Sequence, residues 1–488
     1  MKILFPVSEA VPFAKTGGLA DVAGTLPQAL ARLGHEVYTV LPLYRHVRNT
    51  GVGLNSTRLK LSVPLGNQVL SAEVWEAQTP SNGVHQYFIQ YDPFFDRAEL
   101  YHNAEGDYRD NDQRFTFFCR AVMELGITLG QSWDIIHCHD WHTGLIPVYL
   151  KTLYAHETVY RHCRSVITIH NLAYQGLFPR ESMSYTGLPD SLFSAEGVEF
   201  WGRLNFLKSG LIFADWINTV SPTYAREIQT AELGHGLDGV LRQRKHELSG
   251  ILNGLDYTIW NPQNDPFLPI HFQPHELERK QELKAELMEE QRIFAIKDAP
   301  LVGMISRLDE QKGLDILAEA AETLLNLNMH LIILGTGTRK FHEYFLHLKS
   351  KFARKLAVNL AFNNELAHRI YAASDMFLMP SRFEPCGLGQ LIAMRYGTIP
   401  IVRHTGGLAD TVIEFDGKQG NGFCFQEYSG HALVNAARRA FDLYQDKDAW
   451  QKVVHNAMQA DFSWERAAGE YHVLYHRLRE AAAATPGA

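Results

Sequence analysis

Short apolar, β-branched runs alternate with longer stretches of helical period along the whole chain. Such alternation predicts βαβ crossovers and mainly parallel sheets covered on both faces. In the first half, strands are expected at 3–8, 36–41, 86–91, 134–138, 165–170, 215–220 and 250–252. Helices are expected at 19–33, 111–130, 142–154, 200–213 and 222–230. Residues 57–76 break the rhythm and read as an antiparallel excursion. From Asn253-Gly254-Leu255-Asp256 to Pro262, Gly, Asn and Pro cluster as a linker does. The Glu, Lys and Leu of 275–291 predict a solvated helix with i,i+4 pairs. A second α/β series follows, with strands at 301–306, 329–334, 356–361, 375–379 and 398–402. Its helices are expected at 313–325, 338–351, 364–373, 386–396, 431–444 and 447–459. A last helix runs to about Arg479, with Ser463 as its N-cap and an Ala-rich tail after Glu480.

The length of 488 residues exceeds one core, so two domains are expected. Lys+Arg 46 against Asp+Glu 54 gives a net charge of −8 without a long basic run. Nucleic acid and anionic membranes are therefore poor main partners. The five cysteines are scattered and form no Cys-x-x-Cys pair, which suits a reducing compartment. The first residues enter strand pattern directly, and no signal peptide or apolar span is evident; a cytoplasmic location is expected.

Lys15-Thr16-Gly17-Gly18-Leu19-Ala20-Asp21 lies between the first strand and the first helix. Adjacent glycines, a helix start and a lysine suit a phosphate, although such loops are also common as plain turns. Thr405-Gly406-Gly407-Leu408-Ala409-Asp410 repeats Thr16–Asp21 letter for letter in the other half. That predicts two half-chains of one design gripping one ligand. Arg307 and Lys312, in Ser-Arg-Leu-Asp-Glu-Gln-Lys-Gly after the strand 301–306, are spaced to clamp a diphosphate; they also read as solvated loop cations. Glu384 in Ser-Arg-Phe-Glu-Pro-Cys-Gly-Leu-Gly can hold sugar hydroxyls or complement a helix dipole. The N–H groups near Leu388 and Gly389 can receive phosphate. His137-Cys138-His139-Asp140-Trp141-His142 has metal-binding side chains at the wrong spacing for a structural zinc. Asp140 beside Trp141 suits carbohydrate, or caps the following helix. His170 and Asn171 close the strand 165–170, where ligands of parallel sheets collect.

Seven ordered motifs resemble the bacterial and plastid-type glycogen/starch synthases, which use ADP-glucose. They are Lys-Thr-Gly-Gly-Leu-Ala-Asp-Val, His-Asp-Trp, His-Asn-Leu-Ala-Tyr-Gln-Gly, Asn-Gly-Leu-Asp, Ser-Arg-Leu with Gln-Lys-Gly, Ser-Arg-Phe-Glu-Pro-Cys-Gly-Leu and Thr-Gly-Gly-Leu-Ala-Asp-Thr-Val. The resemblance spans residue 1 to about 480. It implies an α/β fold of two Rossmann-like domains (GT-B) with a deep cleft between them and a C-terminal helix crossing back to the N-terminal domain. The expected domains are 1–255 on the acceptor side, 256–461 on the nucleotide-sugar side, and 462–488 as the returning helix. The implied reaction is retaining transfer of glucose from ADP-glucose to the non-reducing end of an α-1,4-glucan, with no cofactor and no metal.

By the same resemblance, Lys15, Gly17 and Gly18 contact the distal phosphate and glucosyl unit. Arg307 and Lys312 neutralise the departing diphosphate, assisted by the N–H groups at Leu388 and Gly389, with Cys386 and Gly387 as further substrate-binding candidates. Glu384 holds the glucosyl hydroxyls, His170 lies against the reacting glucose, Asp140 lies near the acceptor and the anomeric carbon, and Asn171 is a further substrate-binding candidate. Asp21 and Asn253 are weaker site candidates, and Gly335-Thr336-Gly337 approaches the nucleoside. Phe362 stands where the family often has a base-stacking tyrosine, and Gly389 where it often has threonine. Ile392 replaces a second Glu of sucrose- and trehalose-phosphate-type relatives. A UDP-glucose donor, a different acceptor, or a non-catalytic glucan-binding protein remain open alternatives.

Overall fold

The computed structural model describes residues 1–78 and 83–484, with side chains to 482; the last residues of the Ala-rich tail lie outside them. The chain divides into two compact units: Met1–Val220 with Ala225–Gly254 and Trp464–Ala488, and Ser221–Tyr224 with Leu255–Ser463.

The described residues of the first unit form a nine-stranded sheet. Its order is Leu248–Gly250, Trp216–Thr219, Arg164–Ile169, Ile135–His139, Lys2–Pro6, Glu36–Pro42, Val84–Gln90, Gln68–Ala77 and Leu54–Leu65. The first seven are parallel; the last two join antiparallel, as the excursion at 57–76 predicts. The chain starts at the middle, on Lys2–Pro6, and its neighbours on either side come from Glu36–Pro42 and Ile135–His139. That is a topological switch point, where ligands of open parallel sheets bind beyond the strands' carboxyl ends. The helix Trp464–Ala484 belongs to this unit. Arg32 pairs with Glu465 at 2.9 Å, Tyr471 OH accepts from Asn218 at 3.0 Å, and Tyr475 OH meets His137 Nδ1 at 2.7 Å.

The second unit carries a six-stranded parallel sheet in the order Leu356–Asn359, His330–Leu334, Leu301–Ile305, Met376–Met379, Ile399–Arg403 and Phe423–Phe425. Its switch point lies between Leu301–Ile305 and Met376–Met379. The loops leaving those strands carry Arg307 and Lys312, and Glu384.

Several sequence expectations need correction. The helix expected at 200–213 starts only at Phe206, because Glu199–Phe200 and Arg203–Asn205 form a hairpin in a three-stranded sheet with Leu177–Phe178. The helix expected at 142–154 is a 3₁₀ turn, Trp141–Thr143, followed by Leu145–Lys151. That expected at 386–396 begins at Gly389. The short strand Phe423–Phe425 and helix Gly406–Thr411 have no counterpart in the periodicity. The segment 275–291 does form a helix, Glu278–Glu290, but it is not simply solvated. Its buried face holds Lys280, Leu283, Lys284, Leu287 and Met288. Lys280 Nζ donates to Ala372 O, Tyr396 O and Thr398 Oγ1, and burial pulls its pKa down to about 7. Lys284 pairs with Asp375 at 2.7 Å. Long alkyl stems carry these ammonium groups inward to waiting acceptors, which a helical wheel of charges does not reveal.

Among the described residues no helix is long and apolar enough to cross a membrane, and all five cysteines are free thiols.

Candidate active site

In the first unit the glycine loop is open. Gly17 and Gly18 are exposed, and a Cβ at either position would meet no atom within 4 Å. The loop opens the helix Gly18–Arg32, whose N-cap, Gly17, makes no side-chain bond. Its N–H groups are not all bare, as the sequence suggests. Glu9, buried at the end of the first strand, accepts from Thr16 N at 2.5 Å, Gly17 N at 3.2 Å and Thr16 Oγ1 at 2.6 Å. Tyr101 OH donates to the same carboxylate at 2.8 Å. Lys15 is half exposed and pairs with Asp21 at 2.7 Å.

Asp140 leaves the adjacent strand, Ile135–His139, with φ 53°, a left-handed backbone that a non-glycine residue rarely takes. Its side chain does not cap the following turn. Its Oδ1 accepts instead from His170 N at 2.7 Å, so it ties two strand ends together. Burial raises its pKa to about 7; bonds from the His170 and Asn171 N–H groups oppose the rise, and the Glu9 charge adds to it. His170 is partly buried and its pKa falls to about 3 through burial. Its Nε2 lies 3.0 Å from His139 Nδ1. Asn171 Oδ1 accepts from Ala173 N at 3.1 Å and shapes the turn after the strand. Asn253 is buried with its Oδ1 unpartnered. Among the described residues no cluster of three or more His, Cys, Asp or Glu is arranged to hold a metal.

In the second unit a cavity of about 110 Å³ opens at the switch point. Ser306, Lys312, Ser381, Glu384, Gly387, Leu388 and Gly389 line it with apolar side chains of the two central strands. Lys312 Nζ bonds both oxygens of Glu384, at 2.9 and 2.6 Å, and Ser381 Oγ donates to Oε2 at 3.0 Å. Glu384 is only 5% exposed. Gly313 permits this approach: it has φ +76°, and a Cβ there would sit 2.0 Å from Pro380 O. The two loops therefore touch, and Arg382 N donates to Gln311 O at 2.9 Å.

Arg307 is exposed and is not among the residues lining this cavity; Asp309 holds it at 3.0 Å and Gln311 at 3.1 Å. Gly335 and Gly337 pack on the backbone of the same turn, where Cβ atoms would meet Ser306 O at 1.8 Å and Leu308 O at 2.2 Å. Phe362 is 88% exposed, and Cys386 is buried with its carbonyl accepting from Gln390 Nε2 at 3.1 Å.

The second copy of Thr-Gly-Gly-Leu-Ala-Asp is not an open loop. Gly406 and Gly407 are buried against the backbone of Glu384–Cys386, and Gly407 N donates to Glu384 O at 3.0 Å. Its sequence identity to the first copy predicts a ligand grip; its packing makes it a support for the Glu384 loop. The sequence reading missed Glu9, Tyr101, His139 and Ser381. For Glu9 and Ser381 a signal exists: each is a polar residue just beyond a central strand.

Two mainly parallel sheets, each with polar side chains beyond its switch point, have the architecture of a GT-B-type glycosyltransferase. The starch synthase catalytic domain family matches residues 2–243, and the group 1 glycosyl transferases match residues 288–456. The glycogen synthase of Syntrophotalea carbinolica is 45% identical over 98% of this chain and 99% of its own length. That of Koribacter versatilis is 46% identical over the whole of both chains. The catalytic domain of starch synthase IV from Arabidopsis thaliana, solved with ADP and acarbose, has TM-score 0.90 at 36% identity, covering 98% of this chain and 99% of that one. The chain belongs to the glycogen/starch synthase family.

Proposed function

We propose that the two candidate half-sites serve the glycogen synthase reaction: glucose passes from ADP-glucose to the non-reducing 4-hydroxyl of an α-1,4-glucan, configuration is retained, and ADP leaves. The observation that carries this reading is the part-buried Lys312–Glu384 pair in its cavity, in a chain 45% identical to a glycogen synthase throughout. A lysine held beside a carboxylate at a switch point supplies the two things the donor needs. The ammonium balances negative charge building on the departing diphosphate, and the carboxylate accepts from sugar hydroxyls. Arg307 adds a second cation, and the N–H groups at Leu388 and Gly389 add donors. Gly335 and Gly337 shape the turn toward the nucleoside, with Phe362 against the base.

From the first unit, Lys15, Gly17 and Gly18 contact the distal phosphate and glucosyl unit. His170 and Asn171 lie against the glucose, Asp140 stands by the acceptor and anomeric carbon, and Asp21 and Asn253 complete the polar surround. Rate comes from preformed charge and placement, without a covalent nucleophile. The acceptor attacks from the face that ADP leaves, which keeps the configuration. A cytoplasmic location accompanies this reading, on the free state of the cysteines.

The test is nucleotide release from ADP-glucose and from UDP-glucose, each with and without a malto-oligosaccharide. Acceptor-dependent ADP release supports the reading. Preference for UDP-glucose redirects it to another donor, and glucan binding without turnover from either donor defeats it.

A further inference from the structure

His139 has 0% exposure and is the fifth residue of the strand Ile135–His139, directly before Asp140. One ring nitrogen, Nδ1, lies 3.0 Å from His170 Nε2. The other, Nε2, is buried without any hydrogen-bond partner. The His139 ring packs against the rings of Phe5 at 4.4 Å and His137 at 4.2 Å, centroid to centroid. His137 itself is occupied on both sides, by Tyr475 OH at 2.7 Å and Thr168 Oγ1 at 2.7 Å.

Two neutral imidazoles that share one hydrogen bond have two arrangements. Burial holds both pKa values well below the ordinary histidine value, so neither ring carries a charge near neutrality. If His170 donated from Nε2, the His139 proton would sit on Nε2 and become a buried donor with no acceptor. A buried orphan donor costs about 1–3 kcal/mol, and orphan N–H groups are rarer than under-used acceptors. If His139 donates from Nδ1, its Nε2 is only a vacant lone pair. His170 then accepts at Nε2 and carries its own proton on Nδ1. The second arrangement is the cheaper one.

We propose that His139 is a positioning residue that fixes His170 as the neutral Nδ1–H tautomer, so that His170 presents a hydrogen-bond donor, not an acceptor or a cation, to an oxygen of the glucosyl unit. The assignment rests on the reading that His170 faces the reacting sugar. The Asp140 bond to the His170 backbone N–H fixes the main chain, and the His139 bond fixes the ring, so the donor is aimed twice over. No proton moves along the pair during the reaction.

The test uses three full-length proteins: the wild type, His139→Asn and His139→Leu. An asparagine amide places an N–H close to the position of a histidine Nδ1, whereas leucine keeps bulk without a donor. Long-range ¹H–¹⁵N correlation on ¹⁵N-histidine protein, with the His170 resonances assigned by their loss in His170→Gln, reads the tautomer directly. The expected result is a protonated Nδ1 and bare Nε2 on His170 in the wild type. A proton on Nε2 overturns the proposal, and this measurement holds whether or not glucose is transferred.

In the kinetic arm His139→Leu loses about 10–100-fold in kcat, by analogy with the loss when the outer partner of a metal-bound histidine is removed. Its KM for glucan is unchanged. His139→Asn recovers most of the loss. Without the donor, the His170 Nε2 lone pair is free to take a proton, so the Leu variant also gains an acid limb in its pH–rate profile above the wild type's. Equal activity in all three proteins, or equal loss in Asn and Leu variants, overturns the positioning role. Thermal melts of the three separate that outcome from simple unfolding.

Discussion

The six residues Thr16–Asp21 and the six residues Thr405–Asp410 are identical in sequence and opposite in packing. In the first copy the two glycines face open space and the acid holds a half-exposed lysine. In the second both glycines are buried, and the acid, Asp410, accepts from Ser221 Oγ at 2.6 Å and Thr223 N at 2.9 Å. The absent side chain serves approach in both. In one copy the space beside the glycines is open; in the other a neighbouring backbone already fills it. What surrounds a motif, more than its letters, decides whether it stays open or becomes a packing contact. The buried copy still bears on the site, because the carbonyl that Gly406 and Gly407 rest against is that of Glu384.

The largest expected effect sharpens the claim about the Glu384 loop. Lys312→Ala should lower kcat by about 10²–10³-fold, as loss of one preformed charge does. Steady-state ADP release checks it, and near-normal turnover would break the assignment. Next come matched substitutions in the two copies. Gly406→Ala puts a Cβ 2.0 Å from Glu384 O at φ +46° and should destabilise the second unit by about 3 kcal/mol. Gly17→Ala meets open space and should stay within about 0.5 kcal/mol. Comparable falls in the two thermal melts would erase the distinction drawn here. Asp410→Ala removes the acceptor of Ser221 and Thr223 and should cost about 1–2 kcal/mol, the scale of a lost cap.

Asp140 adds a pH signature to the open side. Its folded pKa of about 7 lies above the ordinary value near 4. Between those values the folded chain binds more protons than the unfolded one, so this group's stabilisation is full below about pH 4 and declines as pH rises toward 7. Asp140→Asn should remove that decline from a plot of melting temperature against pH. The smallest effect belongs to Asp21→Ala: an exposed ion pair contributes about 0–1 kcal/mol, and the melt should barely move.

The strands and most helices were legible because parallel sheets bury continuous apolar runs, as in Leu301–Ile305 and His330–Leu334. The placement of Lys312 and Glu384 followed from the rule that loops after central strands carry sites. The hairpin ending in Arg203–Asn205 was hidden because strands of two and three residues are too short to repeat an alternation. Lys280 and Lys284 misled for another reason. Charge marks a residue as exposed until a specific acceptor, here Thr398 Oγ1 or Asp375, lies within reach of its stem. For Glu9 the position just beyond a central strand was a signal, but its closure onto the loop at Thr16 and Gly17 is seen only in the structure.

The Lys312 ammonium is already neutralised by Glu384 before any ligand arrives. An anion drifting past therefore meets a zwitterion, whose field dies away faster with distance than that of a lone charge. On the proposed function, selection then falls to molecules that engage both members of the pair at once, a diphosphate on the ammonium and a sugar hydroxyl on the carboxylate.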